Sequence, residues 1–218
     1  PLDRTVEAGV QADMPVMIDF GGANPELSIE TLLLEKLRPG DIYAHCYAHV
    51  NGRTPVVDEN GKVRPCCMEA QEKGILFEVG HGGGSFMYEQ ALPAMEQGFL
   101  PNMISTDLHT GSMNAGMKDM LNVMSKFLNM GMSVQDVVER STWMPAVNIN
   151  REQLGHLSVG AEADIAVLNL REGDFGFTDV RGWKMQGDKK LECELTLREG
   201  KVVWDLNGIS MQEWDANK

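Results

Sequence analysis

Ile75-Leu76-Phe77-Glu78-Val79-Gly80-His81-Gly82-Gly83-Gly84-Ser85-Phe86 is the stretch on which the fold turns. A short apolar run ends in glycines at 80–84, and a segment with helically spaced apolar residues, 86–97, follows before Gly98. That succession reads as a strand, a turn and a helix, because the hydrophobic period changes across the glycines. The same unit recurs on either side. Strands are predicted at 15–19, 41–46 and 103–108, with crossover helices at 28–37 and at 65–73, the latter stopping at Gly74. A helix tail at 2–10 precedes the series. Helices at 119–130 and from Val134, for which Ser133 is a suitable N-cap, follow it.

Strands joined by single helices run parallel, since a parallel neighbour requires a crossover. The class is therefore α/β. Four successive units without dinucleotide-fold punctuation indicate the second half of a closed, TIM-type (β/α)8 barrel over 1–150, whose other half would precede Pro1 in a longer or processed chain. After about Asn150, alternating apolar residues at 163–170 and 193–205, with turns at Glu199-Gly200 and Asn207-Gly208, predict a β appendage over 151–218 that packs on the barrel.

The 218 residues, 43% hydrophobic and 23% charged, suffice for a sizeable core and exclude a disordered chain. With 32 acidic against 19 basic residues, a net charge of -13 repels phosphate backbones and anionic lipids, so neither nucleic acid nor membrane is expected as a partner. Cys46, Cys66, Cys67 and Cys193 form no C-x-x-C and read as reduced thiols, which, with no span or signal peptide in view, predicts a cytoplasmic location. The expected partners are a small-molecule substrate and either a second copy or the other barrel half, because a half barrel leaves raw sheet edges.

In such barrels chemistry gathers at the carboxyl ends of the strands. Asp19, His45, His81 and Asp107 stand at or just past the four predicted ends, with His109 two residues beyond Asp107. Asp19 could instead be a turn former. Imidazole is the commonest zinc-type ligand, which favours a functional His45. Asp107, where an apolar strand turns polar, could bind a divalent cation and take a proton from the attacking water. His49 and His156 read as hydrogen-bonded structural residues lying in loops without partners. The 80–84 glycines fit a dinucleotide loop poorly, lacking the full G-x-G-x-x-G/A, and fit an esterase oxyanion loop poorly, lacking a G-x-S-x-G elbow. A substrate-binding turn, with His81 and backbone amides aimed at a carbonyl or carboxylate, suits the neighbours better. Among the 15 methionines, Met117, Met120, Met124 and Met130 read as helix core rather than a copper surface, and Trp143 and Trp183 as packing.

These segments resemble the amidohydrolase superfamily, in its dihydroorotase-like branch of amidohydrolases and deacetylases. The resemblance rests on Leu37-Arg38-Pro39-Gly40-Asp41-Ile42 leading to Ala44-His45-Cys46, on Val79-Gly80-His81-Gly82, on Ser105-Thr106-Asp107-Leu108-His109, and on the tail segments 154–167 and 199–203. It implies one or two divalent metals, zinc before manganese or iron. Its ligands here would be His45 from barrel strand 6, Asp107 from strand 8, and Asp19 where the family places a strand 5 histidine, within Val16-Met17-Ile18-Asp19-Phe20-Gly21-Gly22. An aspartate is a harder, anionic ligand than the histidine it stands for. The family's H-x-H pair and carboxylated lysine would lie in the other half. Asp107 would double as general acid/base, while His81, Gly82 and His109 would face substrate. The implied reaction is hydrolysis of an amide, cyclic amide or acyl ester. The alternative is a non-catalytic metal- or ligand-binding barrel fragment that assembles with another chain.

Overall fold

The computed structural model describes residues 1–19 and 22–215, so Phe20 and Gly21 of the quoted 16–22 segment and the last three positions of the predicted appendage lie outside the described residues. Helix α1 (Leu2–Ala12) opens the chain and closes at Asp13, whose left-handed φ of 51° returns its N–H to the carbonyls of Gly9 and Val10. Strand β1 (Met17–Ile18), a π-helix (Thr31–Lys36), β2 (Ile42–Tyr43), α2 (Pro65–Glu72), β3 (Leu76–Phe77) and α3 (Tyr88–Glu96) then alternate, which makes the class α/β. The strands pair in parallel in the order β1-β2-β3, with Met17 opposite Ile42 and Ile42 opposite Leu76. Each is shorter than the predicted run, because the ladder stops where the chain bends toward its functional end.

The fourth predicted strand, 103–108, does not form as one. A single parallel bridge joins Glu78 to Met103, and the amides of Val79 and Gly82 donate to the carbonyls of Met103 (3.1 Å) and Thr106 (2.8 Å). The segment thus follows the chain after β3 on one side, but Ile104 N–H turns away to the Arg140 carbonyl at 2.9 Å. A run with evenly spaced bonds on neither side keeps the direction of a strand without its regular dihedrals.

The predicted helix signals hold. In α4 (Met120–Asn129), Asp119 caps the N-terminus by accepting from Asn122 N–H at 2.7 Å, and in α5 (Val134–Ser141), Ser133 does so from Asp136 N–H at 3.0 Å. Helix α6 (Trp143–Asn148) follows. Beneath the helices lies one core that includes Leu32, Leu33, Tyr47, Phe77, Phe86, Phe99 and Phe127, all buried. Its aromatic rings interlock edge to face, Phe77 on Phe99 at 4.8 Å and Phe86 on Phe127 at 5.9 Å, and each buried Phe contributes roughly 1.5–3 kcal/mol. Met117 and Met124 are buried in it, and Met120 and Met130 pack against it, as their spacing predicts. Trp143 and Trp183 do not: they are 37% and 69% exposed.

The appendage is antiparallel, β4 (Ile165–Thr178), β5 (Lys184–Arg198) and β6 (Lys201–Asp205), turning at Glu199-Gly200 with φ of 50° and 74°. β4 and β5 run farther than the alternation suggests. The reason is their polar middle, where Arg171 faces Lys190 and Glu172 faces Lys189 with Arg171 paired to Glu192 at 2.8 Å, so no apolar period marks it. The predicted turn at Asn207-Gly208 leads into a loop held by the Asp205 carboxylate, which accepts from the amides of Ile209 and Ser210. The sheet docks on α4 through side chain to backbone bonds. Asn129 accepts from Asp188 and Lys189 N–H (2.9 and 3.2 Å) and donates to Lys189 O, and Ser125 Oγ accepts from Leu191 N–H at 2.9 Å. No helix among the described residues is long and apolar enough to cross a membrane.

Candidate active site at the strand ends

Beyond β2 the chain stays in register long enough for Ala44 N–H to bond Ile18 O (3.1 Å) and Cys46 N–H to bond Glu78 O (2.9 Å). His45, between them, takes a left-handed φ of 56°. Asp107 does the same at 49°. Asp and His tolerate this region better than most side chains but still at a cost, and such positions concentrate at functional sites. Neighbours fix both carbonyls: His45 O accepts from Arg53 Nη2 (3.1 Å), and Asp107 O from Ser112 Oγ (3.1 Å).

The bend aims the imidazole between two acceptors. His45 Nδ1 stands 2.7 Å from Gly80 O and Nε2 stands 2.9 Å from Asp19 Oδ1. The carbonyl can only accept, so Nδ1 carries a proton and Nε2 presents its other valence to the Asp19 carboxylate. That nitrogen and the carboxylate face each other as two donor atoms between which a cation could lie. The two glycines of the 80–82 turn carry the convergence further. A β-carbon on Gly80 would stand 2.5 Å from His45 Nδ1, and one on Gly82 would stand 2.4 Å from Asp107 Oδ2. Both glycines have positive φ, 43° and 49°. Asp19 and His45 are thus in direct contact, and Asp107 lies against the next glycine but one of the same turn, with Asp107 exposed and Asp19 largely so.

Glu78 is the residue that sequence reasoning missed. It is 4% exposed, its Oε1 accepts from Gly80 N–H at 2.7 Å and pairs with Ser105 Oγ, and it senses both His45 and Asp107. Burial raises its pKa above the ordinary carboxylate value; the His45 charge opposes that shift and the Asp107 charge adds to it. The available signal was a carboxylate inside the apolar run of 75–79.

His81 is corrected. It is fully buried, stacked on Phe86 at 4.6 Å, with Nδ1 at 2.9 Å from Gly82 O and Nε2 at 2.6 Å from Lys126 Nζ, so both nitrogens are engaged inside the protein and neither faces substrate. Gly82 is buried as well, and the amides of Gly80, His81 and Gly82 are spent on Glu78, Ser105 and Thr106 rather than aimed outward. His109 is exposed, with Nδ1 accepting from Gly111 N–H at 3.1 Å. His49 and His156 do have partners: Glu89 at 2.9 Å for the exposed His49, and the Trp143 ring for His156. A cavity of about 710 Å³ lies between α4, the 153–157 loop and β4, and none of the strand-end residues lines it.

As a cation site, the group is partial. His45 and Asp19 offer two facing donors of the right kind, and the Gly80 carbonyl orients the imidazole as an outer-shell partner does. Among the described residues no three His, Cys, Asp or Glu side chains are arranged to hold an ion by themselves.

Residues 84–203 match the model of the amidohydrolase family. A deacetylase from Brucella anthropi is 37% identical over 169 residues, covering 78% of this chain and 41% of the relative, and a deacetylase from Agrobacterium fabrum is 38% identical over 171 residues, covering 78% and 40%. Among solved structures, an adenine deaminase superposes with a TM-score of 0.84 at 25% identity, covering 92% of this chain and 54% of that one. A dihydroorotase does so with 0.83 at 30%, covering 94% and 55%. The chain spans roughly half of the length of these proteins. The parallel units, the hydrogen-bonded strand-end residues and the agreement over most of the chain converge: the chain belongs to the amidohydrolase family.

Proposed function

We propose that this chain carries one side of the active site of a divalent-metal-dependent hydrolase acting on an amide, cyclic amide or acyl ester. Removal of an acyl group is the favoured reaction, since the relatives named above are deacetylases. The observation that supports the reading is the His45–Asp19 contact together with the bare faces of Gly80 and Gly82 against His45 and Asp107. On this reading 1–150 is the second half of a (β/α)8 barrel, the four sequential parallel segments being its strands 5 to 8, and 151–218 belongs to a small β-sandwich.

His45, Asp19 and Asp107 would hold the metal, zinc before manganese or iron, with further ligands from outside this chain. When bound, the ion polarises the scissile carbonyl and acidifies the attacking water. Asp107, exposed at the end of the 103–107 segment, would take a proton from the attacking water and deliver it to the leaving group. Its left-handed backbone, pinned by Ser112, keeps the carboxylate in one place through both transfers. His109, whose Nδ1 is held by Gly111 N–H, presents Nε2 to the substrate. His81 acts from behind the turn.

The test is Asp107→Asn in the full-length protein, assayed on a panel of N-acyl amino acids and acyl esters. Turnover should fall at least about 100-fold, the scale of a lost general base, while much of the bound metal remains. Unchanged turnover in that variant removes Asp107 from the mechanism, and a wild-type protein that binds metal without hydrolysing any of the panel leaves a binding role instead.

A further inference from the structure

The buried core holds a charge that the proposed reaction does not use. Lys126, on α4, is fully buried, and its Nζ donates to Gly116 O (2.7 Å), to Thr178 O (2.8 Å) and to His81 Nε2 (2.6 Å). The three partners match the three protons of an ammonium, and none is a carboxylate. Burial pulls the lysine pKa down to about 7, partly countered by Asp179, and the same burial with the Lys126 charge pulls His81 to about 3. A lysine buried at such cost with no carboxylate among its direct partners has a reason to be there.

The hydrogen bonds supply it. The Gly82 carbonyl can only accept, so the ring proton of His81 sits on Nδ1 and Nε2 is left to accept from Lys126 Nζ. From there it donates to Gly82 O at 2.9 Å, and Gly82 is the residue whose bare face abuts Asp107 Oδ2. The Phe86 ring, stacked on His81 at 4.6 Å and 14°, prevents the imidazole from flipping out of this line. The far end of the chain of contacts is the appendage, since Thr178 closes β4, and Tyr88 beside Phe86 donates from its hydroxyl to Phe177 O and from its N–H to Asp179.

We propose that Lys126 is a positioning residue for the strand-end site: it fixes His81 as the Nδ1–H tautomer, which holds the 80–84 turn where Gly82 seats Asp107, and it anchors that turn to the end of β4. The consequence for turnover rests on the hydrolase reading above. The consequence for the ring does not.

The experiment has two arms in the full-length protein. Nitrogen-15 NMR of the His81 ring should show a proton on Nδ1 and a bare Nε2 in the wild type. Lys126→Met, which keeps the length and removes the donors, should lose that single tautomer and lower kcat about tenfold or more with KM within about twofold, the pattern of a displaced catalytic group rather than a lost substrate contact. An imidazolium or an Nε2–H ring in the wild type overturns the proposal even where the variant fails to fold. A folded Lys126→Met with wild-type kcat also overturns it. If the wild type hydrolyses none of the panel, the hydrolase reading fails by itself, and the His81 tautomer still decides the role of Lys126.

Discussion

Gly82 lies so close under Asp107 that a β-carbon on it would stand 2.4 Å from the carboxylate oxygen Oδ2, while its own φ of 49° already disfavours any L side chain. Gly80 stands in the same relation to His45. The glycines of this turn therefore serve a close approach of side chains, and the backbone amides between them are consumed within the fold.

Gly82→Ala should displace Asp107 and reduce turnover about 100-fold, the scale of a catalytic group moved by about 1 Å, with a stability loss of about 1–2 kcal/mol from the left-handed backbone. Gly84→Ala is the control, because its β-carbon meets nothing within 4 Å and its φ is not positive. Parallel kinetics and thermal melts of the two variants check the contrast; equal activities would count against it.

His45→Asn should keep the fold, since asparagine tolerates the left-handed φ of 56° and the Arg53 bond is to the backbone carbonyl. It removes the nitrogen that faces Asp19, and divalent metal affinity should fall at least about tenfold, read by elemental analysis after dialysis.

Asp41 accepts from Arg38 Nε (3.0 Å) and Nη2 (2.8 Å) and from the amides of Arg38 (2.8 Å) and Val16 (2.9 Å), and so ties the start of β2 to β1. Burial alone would raise its pKa, but the Arg38 bonds and charge and the two amides outweigh it and bring the value below 3.8. A depressed carboxyl stabilises above its unfolded value and loses that contribution as pH falls through its folded value. Acid unfolding of the wild type should therefore steepen below pH 3.8, and Asp41→Asn should cost about 3 kcal/mol at pH 7 and lose that steepening, measured by denaturant titration across pH.

Asn129→Ala strips the carboxamide that bonds Asp188 and Lys189 of β5 to α4. Losing these exposed bonds should cost about 0.5–1.5 kcal/mol, and hydrogen exchange should rise at Asp188 and Lys189 ahead of the α4 amides.

The parallel α/β order, the helix cap at Ser133, and the turn at Glu199-Gly200 were legible in the sequence. Each is local, set by hydrophobic period or by one residue's dihedral preference within a few positions of itself. Asp19, His45 and Asp107 were legible as strand-end residues for the same reason. The tertiary structure decided what is not local. Burial and a lysine 45 residues away turned His81 from a group that would face substrate into one locked behind the turn, and pairing to Gly80 and His45 made Glu78 part of the site. It also carried β4 and β5 through a polar stretch that no alternation marks, because cross-strand charge pairs can hold a ladder that hydrophobic period does not announce. Sequence fixes which groups exist and the local direction of the chain; desolvation and distance, which assign each group its chemistry, arise only when remote segments meet.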